Sequence, residues 1–152
     1  MLFRSDYVST LKFLHDLGIT YVTCSGLITT GNAVKEESAS LRLDKADISK
    51  ILKDAVEYCF ANGMEISFTS PGWVDAALCD ELGISTPNCG ACLSNMAITP
   101  GGNVVPCQSD LSGNALGNIL NDDWEKIWNS KECVSKRNFS AKMLGTCPLK
   151  RA

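Results

Sequence analysis

Four cysteines stand where a metal could gather them. Cys89-Gly-Ala-Cys92 precedes Ile98-Thr-Pro-Gly-Gly-Asn-Val-Val-Pro-Cys107, and Cys147 follows near the end of the chain. Pro100-Gly-Gly-Asn103, set between two short β-forming runs, is a hairpin signal. Cys89 and Cys92 therefore lie before a hairpin and Cys107 after it. Soft thiolate sulfur selects zinc, copper(I) or iron–sulfur clusters. The C-x2-C pair alone also fits zinc knuckles and redox motifs. A thioredoxin-like role wants the pair at a helix N-terminus, which lowers the thiolate pKa, whereas here a strand and hairpin follow. A four-cysteine zinc ribbon wants a second close pair after the hairpin, and Cys107 stands alone.

The other four cysteines read as packing. Cys59 lies in the apolar stripe of a predicted helix, and free cysteine is among the most buried residue types. Cys24 ends a predicted strand, Cys79 sits on a short amphipathic segment, and Cys133 falls at the end of a helix containing Trp124 and Trp128. His15 is the only histidine. It lies on an amphipathic helix with no cysteine or carboxylate at ligand spacing, so it reads as a surface residue. Trp124 and Trp128 fit helix packing, and Asp122 or Asp123 fits a helix cap.

The elements around these residues change character along the chain. Val8, Leu11, Leu14 and Leu17 recur at helical spacing, and Gly18 supplies a stop. Ile19 to Cys24 reads as a β-branched strand. Asp44 caps a second helix whose apolar positions are Ile48, Ile51, Leu52, Ala55, Val56, Cys59 and Phe60. Gly63 ends it, Glu65 to Thr69 forms a second strand, and Trp73 to Leu82 a short third helix. This alternation means α/β with parallel strands. Two strands make a poor parallel sheet, because such sheets are buried on both faces. The expected boundary is at Gly83–Pro87, giving domains 1–84 and 85–152. Beyond the hairpin, residues 108–118 read as loop, and the tail after the tryptophan helix as irregular.

Composition limits the function classes. Of 152 residues, 45% are hydrophobic and 20% charged; the net charge is −3. An acidic chain lacks the basic footprint of a nucleic-acid binder. No apolar run approaches the roughly 20 residues of a membrane span, and Met1 to Asp6 holds no secretory stretch. The expectation is a soluble, cytoplasmic protein whose thiols stay reduced.

On these residues the chain resembles the SPASM/twitch region of radical S-adenosylmethionine enzymes. That region has a cysteine, about a dozen residues, a glycine, four residues and a second cysteine. Gly102-Asn-Val-Val-Pro-Cys107 is similar to the second half of this pattern. Cys89 and Cys92 both fall in the permitted range before Gly102, and Cys-Gly-Ala favours Cys89. Gly117-Asn118-Ile119 and Ile127-Trp128-Asn129-Ser130 resemble the later part. The first half is similar to the fifth and sixth strands of the family's partial barrel.

The resemblance implies the last βα units of a partial (β/α) barrel followed by a hairpin-plus-helix domain. It implies Cys89, Cys107 and Cys147 as ligands of an auxiliary [4Fe–4S] cluster, with Cys92 as a reserve ligand. It places Gly26, Leu27 and Ile28 at the S-adenosylmethionine pocket of a parent enzyme that acts on a peptide, protein or small molecule. The family's C-x3-C-x2-C, which holds the catalytic cluster, does not occur in this sequence. The resemblance therefore implies a fragment of a radical enzyme, inactive alone, with an incomplete auxiliary site and an exposed barrel edge that favours a homodimer. The reading from another class is a non-catalytic module that holds zinc or no metal.

Overall fold

A computed structural model of the chain describes residues 6–28, 30–110 and 113–149. Met1 to Ser5 of the Met1–Asp6 segment read for a leader, and the last three residues of the tail, lie outside them. The chain divides into two units. One takes in the residues up to Leu27 together with Glu37–Pro87, and the other Ile28–Glu36 together with the residues from Asn88 on.

The first unit contains α1 (Tyr7–Asp16), β1 (Tyr21–Cys24), α2 (Lys45–Ala61), β2 (Glu65–Phe68) and α3 (Ala76–Glu81). The Asp44 side chain accepts from Asp47 N–H at 2.8 Å and so caps α2 as expected. At the other end of α2, Gly63 takes φ +68 and Met64 N–H returns to Cys59 O at 2.8 Å. This left-handed cap satisfies end carbonyls and turns the chain straight into β2. Gly18 with Ile19 repeats the device after α1, and Gly83 with Ile84 repeats it after α3.

Strands β1 and β2 pair in parallel, Val22 opposite Ile66 and Cys24 opposite Phe68. Ile48, Leu52, Ala55, Val56 and Cys59 form the buried face of α2. Ile51 and Phe60 sit at the margins of that stripe, Ile51 half-buried and Phe60 exposed. The third helix starts at Ala76, later than the apolar pattern implies. The preceding Asp75 makes no capping bond, and its carboxylate is held by Lys45 Nζ at 2.6 Å. The fold is thus α/β with a two-stranded parallel sheet.

The second unit contains β3 (Ala97–Ile98), β4 (Asn103–Val105), β5 (Gly117–Asn118), α4 (Trp124–Trp128) and α5 (Lys131–Ser140). The three strands form one antiparallel sheet in chain order. Gly102, at φ +83, closes the expected hairpin by donating its N–H to Thr99 O at 2.9 Å.

Two elements differ from the sequence reading. Gly117 and Asn118 form β5 inside the stretch read as loop. The Asn118 amide bonds Gly101 O at 2.8 Å and Asn103 Oδ1 at 3.0 Å, so a side chain ties this strand to the hairpin. The tail is not irregular throughout, since residues 131–140 form α5. Ser130 caps α5 by accepting from Cys133 N–H. Cys133 therefore belongs to α5 and not to the tryptophan helix. Asp123 is the cap of α4, and Asp122 instead accepts from Asn118 N–H at 2.7 Å.

Among the described residues no helix is long and apolar enough to cross a membrane.

Candidate metal centre

The site is built around one carbonyl. Gly90 O accepts N–H bonds from Leu93, Ser94 and Asn95 at 2.9–3.0 Å, which winds residues 90–95 into a tight turn. Inside it Cys92 adopts φ +56, a left-handed conformation that costs a non-glycine residue roughly 1–3 kcal/mol. The surroundings enforce it: Cys92 N–H is shared between Asn95 O at 3.0 Å and Pro106 O at 3.1 Å. The second bond sets Cys92 beside the residue that precedes Cys107.

The thiols have different environments. Cys92 and Cys133 are fully buried, whereas Cys89, Cys107 and Cys147 are half-buried. Burial, with a hydrogen bond shared with Cys133, pushes the Cys92 thiol up to about 12, while Arg137 and Lys136 act the other way. The Cys107 sulfur accepts from Ser109 N–H at 3.4 Å, a backbone donor of the kind that tunes cluster-bound sulfur. Cys89 Sγ lies 3.7 Å from Ser140 Oγ on α5, and Ser140 donates to Ala91 O at 2.7 Å.

Helix α5 is thus the wall of the site. Cys133, Arg137 and Ser140 stand at i, i+4 and i+7, on one face. The Arg137 guanidinium carbon lies 3.9 Å from the centre of the Trp128 ring, and Nη2 donates to Trp128 O at 3.0 Å. Trp128 stacks on Trp124 with centroids 5.8 Å apart. Among the described residues, two buried side-chain polar atoms have no partner, Arg137 Nη1 and Asn95 Oδ1.

The structure brings together Cys92 with Cys133, and Cys92 with the start of Cys107 through Pro106. Cys89 is tied to α5 through Ser140. Among the described residues no three Cys, His, Asp or Glu side chains converge as a metal-holding group. The donor chemistry nevertheless fits a thiolate-bound cluster: soft sulfur ligands in one turn-and-hairpin unit, a backbone N–H on one sulfur, and a buried cationic donor awaiting an acceptor. Arg137 and Ser140 were invisible to motif reading, although the 133/137/140 spacing after a Ser130 cap carried the signal.

Of the residues expected at the S-adenosylmethionine pocket, Gly26 has a packing explanation. Gly26 donates its N–H to the buried Ser70 Oγ at 2.9 Å, and a Cβ at Gly26 would collide with the Trp73 indole, 2.7 Å from Cγ. Leu27 is exposed and Ile28 half-buried. Of the remaining thiols, Cys59 and Cys79 are fully buried as expected. Cys24 is only half-buried; burial pushes its thiol up and a hydrogen bond with Tyr7 opposes this.

Residues 89–149 match the family model of SPASM, described as an iron–sulfur cluster-binding domain. The match opens on Cys89 and takes in Cys92, Cys107, Cys133 and Cys147. This part of the chain is a SPASM domain. Comparisons with curated proteins and with solved structures gave no match.

Proposed function

We propose that residues 89–149 hold an auxiliary [4Fe–4S] cluster on Cys89, Cys92, Cys107 and Cys147. In this reading the domain serves a radical S-adenosylmethionine oxidoreductase that acts on a peptide, protein or small molecule. The observation that carries it is the Cys92 N–H bond to Pro106 O within a SPASM match that begins at Cys89. It supports moving Cys92 from the reserve to the ligand set, which gives the four thiolates such a cluster takes.

When bound, the cluster supplies one-electron chemistry or a coordination site near a substrate. The chain's own residues do the rest. The Gly90-centred turn holds Cys89 and Cys92, the β3–β4 hairpin returns Cys107 to them, and Ser109 N–H supports the Cys107 sulfur. Metal loading requires loss of the thiol protons and rotation of these side chains toward a common point.

The sequence lacks C-x3-C-x2-C, so cleavage of S-adenosylmethionine belongs to a catalytic cluster that this chain does not ligate. The similarity of the first unit to the end of a partial barrel supports placing Gly26, Leu27 and Ile28 near the cofactor of the whole enzyme. Phe13, Leu17, Ile19 and Tyr21 are exposed around the α1–β1 connection. Such an apolar run supports a homodimer, which light scattering would read as twice the chain mass.

Anaerobic reconstitution with ferrous iron and sulfide tests the cluster directly. The expected outcome is about four irons and four sulfides per chain by the cluster stoichiometry, with broad visible absorption that dithionite bleaches. Stoichiometric zinc with no sulfide would replace this reading with that of a structural zinc module.

A further inference from the structure

We propose that Arg137 is a positioning residue for the cluster, supplying one buried N–H and a fixed positive charge to its thiolate face. The inference rests on the cluster reading above and names a residue outside the cysteine set.

Three observations carry it. Helix α5 packs against the ligand turn around Arg137. One turn before it stands the fully buried Cys133; one turn after it, Ser140 bonds Ala91 O and lies against Cys89 Sγ. Arg137 shares their face. Next, the guanidinium is held in place by Trp128, whose ring it covers at 3.9 Å and whose carbonyl Nη2 reaches at 3.0 Å. Finally, Nη1 is buried with no acceptor among the described residues.

A buried charged donor without a partner is costly, and folded chains retain one where an acceptor arrives later. The acceptor chemistry is anionic sulfur. Four thiolates around a [4Fe–4S]2+ core give a net charge of about −2, which becomes more negative on one-electron reduction, and hydrogen bonds to the sulfurs and nearby charge set the potential. The neighbouring Lys136 is exposed, whereas Arg137 presents a fixed, buried donor.

The test uses the reconstituted full chain and potentiometric titration followed by electron paramagnetic resonance. In Arg137→Gln, iron and sulfide content should stay at the wild-type value while the midpoint potential moves to more negative values. Arg137→Lys should restore much of the shift, and Lys136→Gln should move the potential less than Arg137→Gln does. An unchanged potential in Arg137→Gln, or an equal shift in Lys136→Gln, overturns the proposal.

A second measurement needs no variant to fold. Wild-type protein labelled with 15N in its arginine guanidinium groups should show a 15N coupling to the reduced cluster in pulsed paramagnetic resonance, and no coupling would overturn the proposal. Wild-type protein that takes up no iron and sulfide overturns the cluster reading and this inference together. A normal cluster with an unmoved potential overturns this inference alone.

Discussion

Ser140, the last residue of α5, donates its hydroxyl proton to the carbonyl of Ala91 at 2.7 Å, across 49 residues of sequence. Ser140 is fully buried, and its oxygen also lies 3.7 Å from Cys89 Sγ. With one hydroxyl proton committed to Ala91, the remaining contact suits the Cys89 thiol as donor. Ser140→Ala removes the shared partner and leaves buried polar groups unpaired, at a cost of about 1–3 kcal/mol. Chemical denaturation of the metal-free protein should show a lower midpoint with an unchanged slope. Ser140→Thr should retain more of the stability than Ser140→Ala.

Position in the fold, not burial, separates the proposed ligand thiols from Cys133. Cys107, half-buried with an N–H on its sulfur, and Cys92, held beside Pro106, belong to the proposed set. Cys133, as fully buried as Cys92, stands on α5 outside the turn and hairpin that carry the proposed ligands. Cys107→Ser and Cys92→Ser should each lose most of the bound iron and sulfide. Cys133→Ser should keep them, while losing stability because a hydroxyl replaces a buried apolar thiol. Iron retention in Cys107→Ser would exclude the proposed ligand set.

What was legible in the sequence follows from what each element depends on. Helix α2 has a side-chain cap at Asp44, an apolar stripe and a terminal Gly63, all local signals, and it formed where these place it. The hairpin followed from Pro100-Gly-Gly-Asn103 for the same reason. Helix α5 carries only two buried residues, Cys133 and Ser140, so no apolar period announces it; its cap at Ser130 is its main local mark. Strand β5 is two residues long and exists because the Asn118 side chain reaches Gly101 and Asn103, a long-range fact. At the site, the cysteine spacing was visible, but the wall that α5 provides was not, because Arg137 and Ser140 act through tertiary contacts.

Gly26 offers a clean test of packing against ligand binding. Its missing Cβ leaves space for the Trp73 indole, itself buried, and its N–H is spent on Ser70. Gly26→Ala forces that ring or the β1–α2 connection to move, and overpacking of this kind costs about 1–3 kcal/mol. Thermal unfolding of the isolated chain should show the loss with no cofactor present, together with altered Trp fluorescence. Unchanged stability in Gly26→Ala would mean that the Trp73 contact is soft and would return the glycine to a ligand-facing role.

The buried thiols of the first unit set an alkaline limit on stability. Burial pushes the thiols of Cys59 and Cys79 up from their ordinary value of 9.0, and burial also raises the Tyr7 hydroxyl, with Cys24 adding to it. The folded chain keeps these protons where the unfolded chain releases them, so above about pH 8.5–9 the unfolded state binds fewer protons. The stability that they contribute is fully present below that range and falls as pH rises through it toward the raised folded values. Urea denaturation of reduced, metal-free protein should therefore give nearly constant midpoints from pH 7 to about 8 and declining ones above about 9. Cys59→Ala should start lower at neutral pH, because a buried side chain is shortened, but decline less steeply. Equal alkaline slopes for wild type and Cys59→Ala would show that the loss arises from groups other than this thiol.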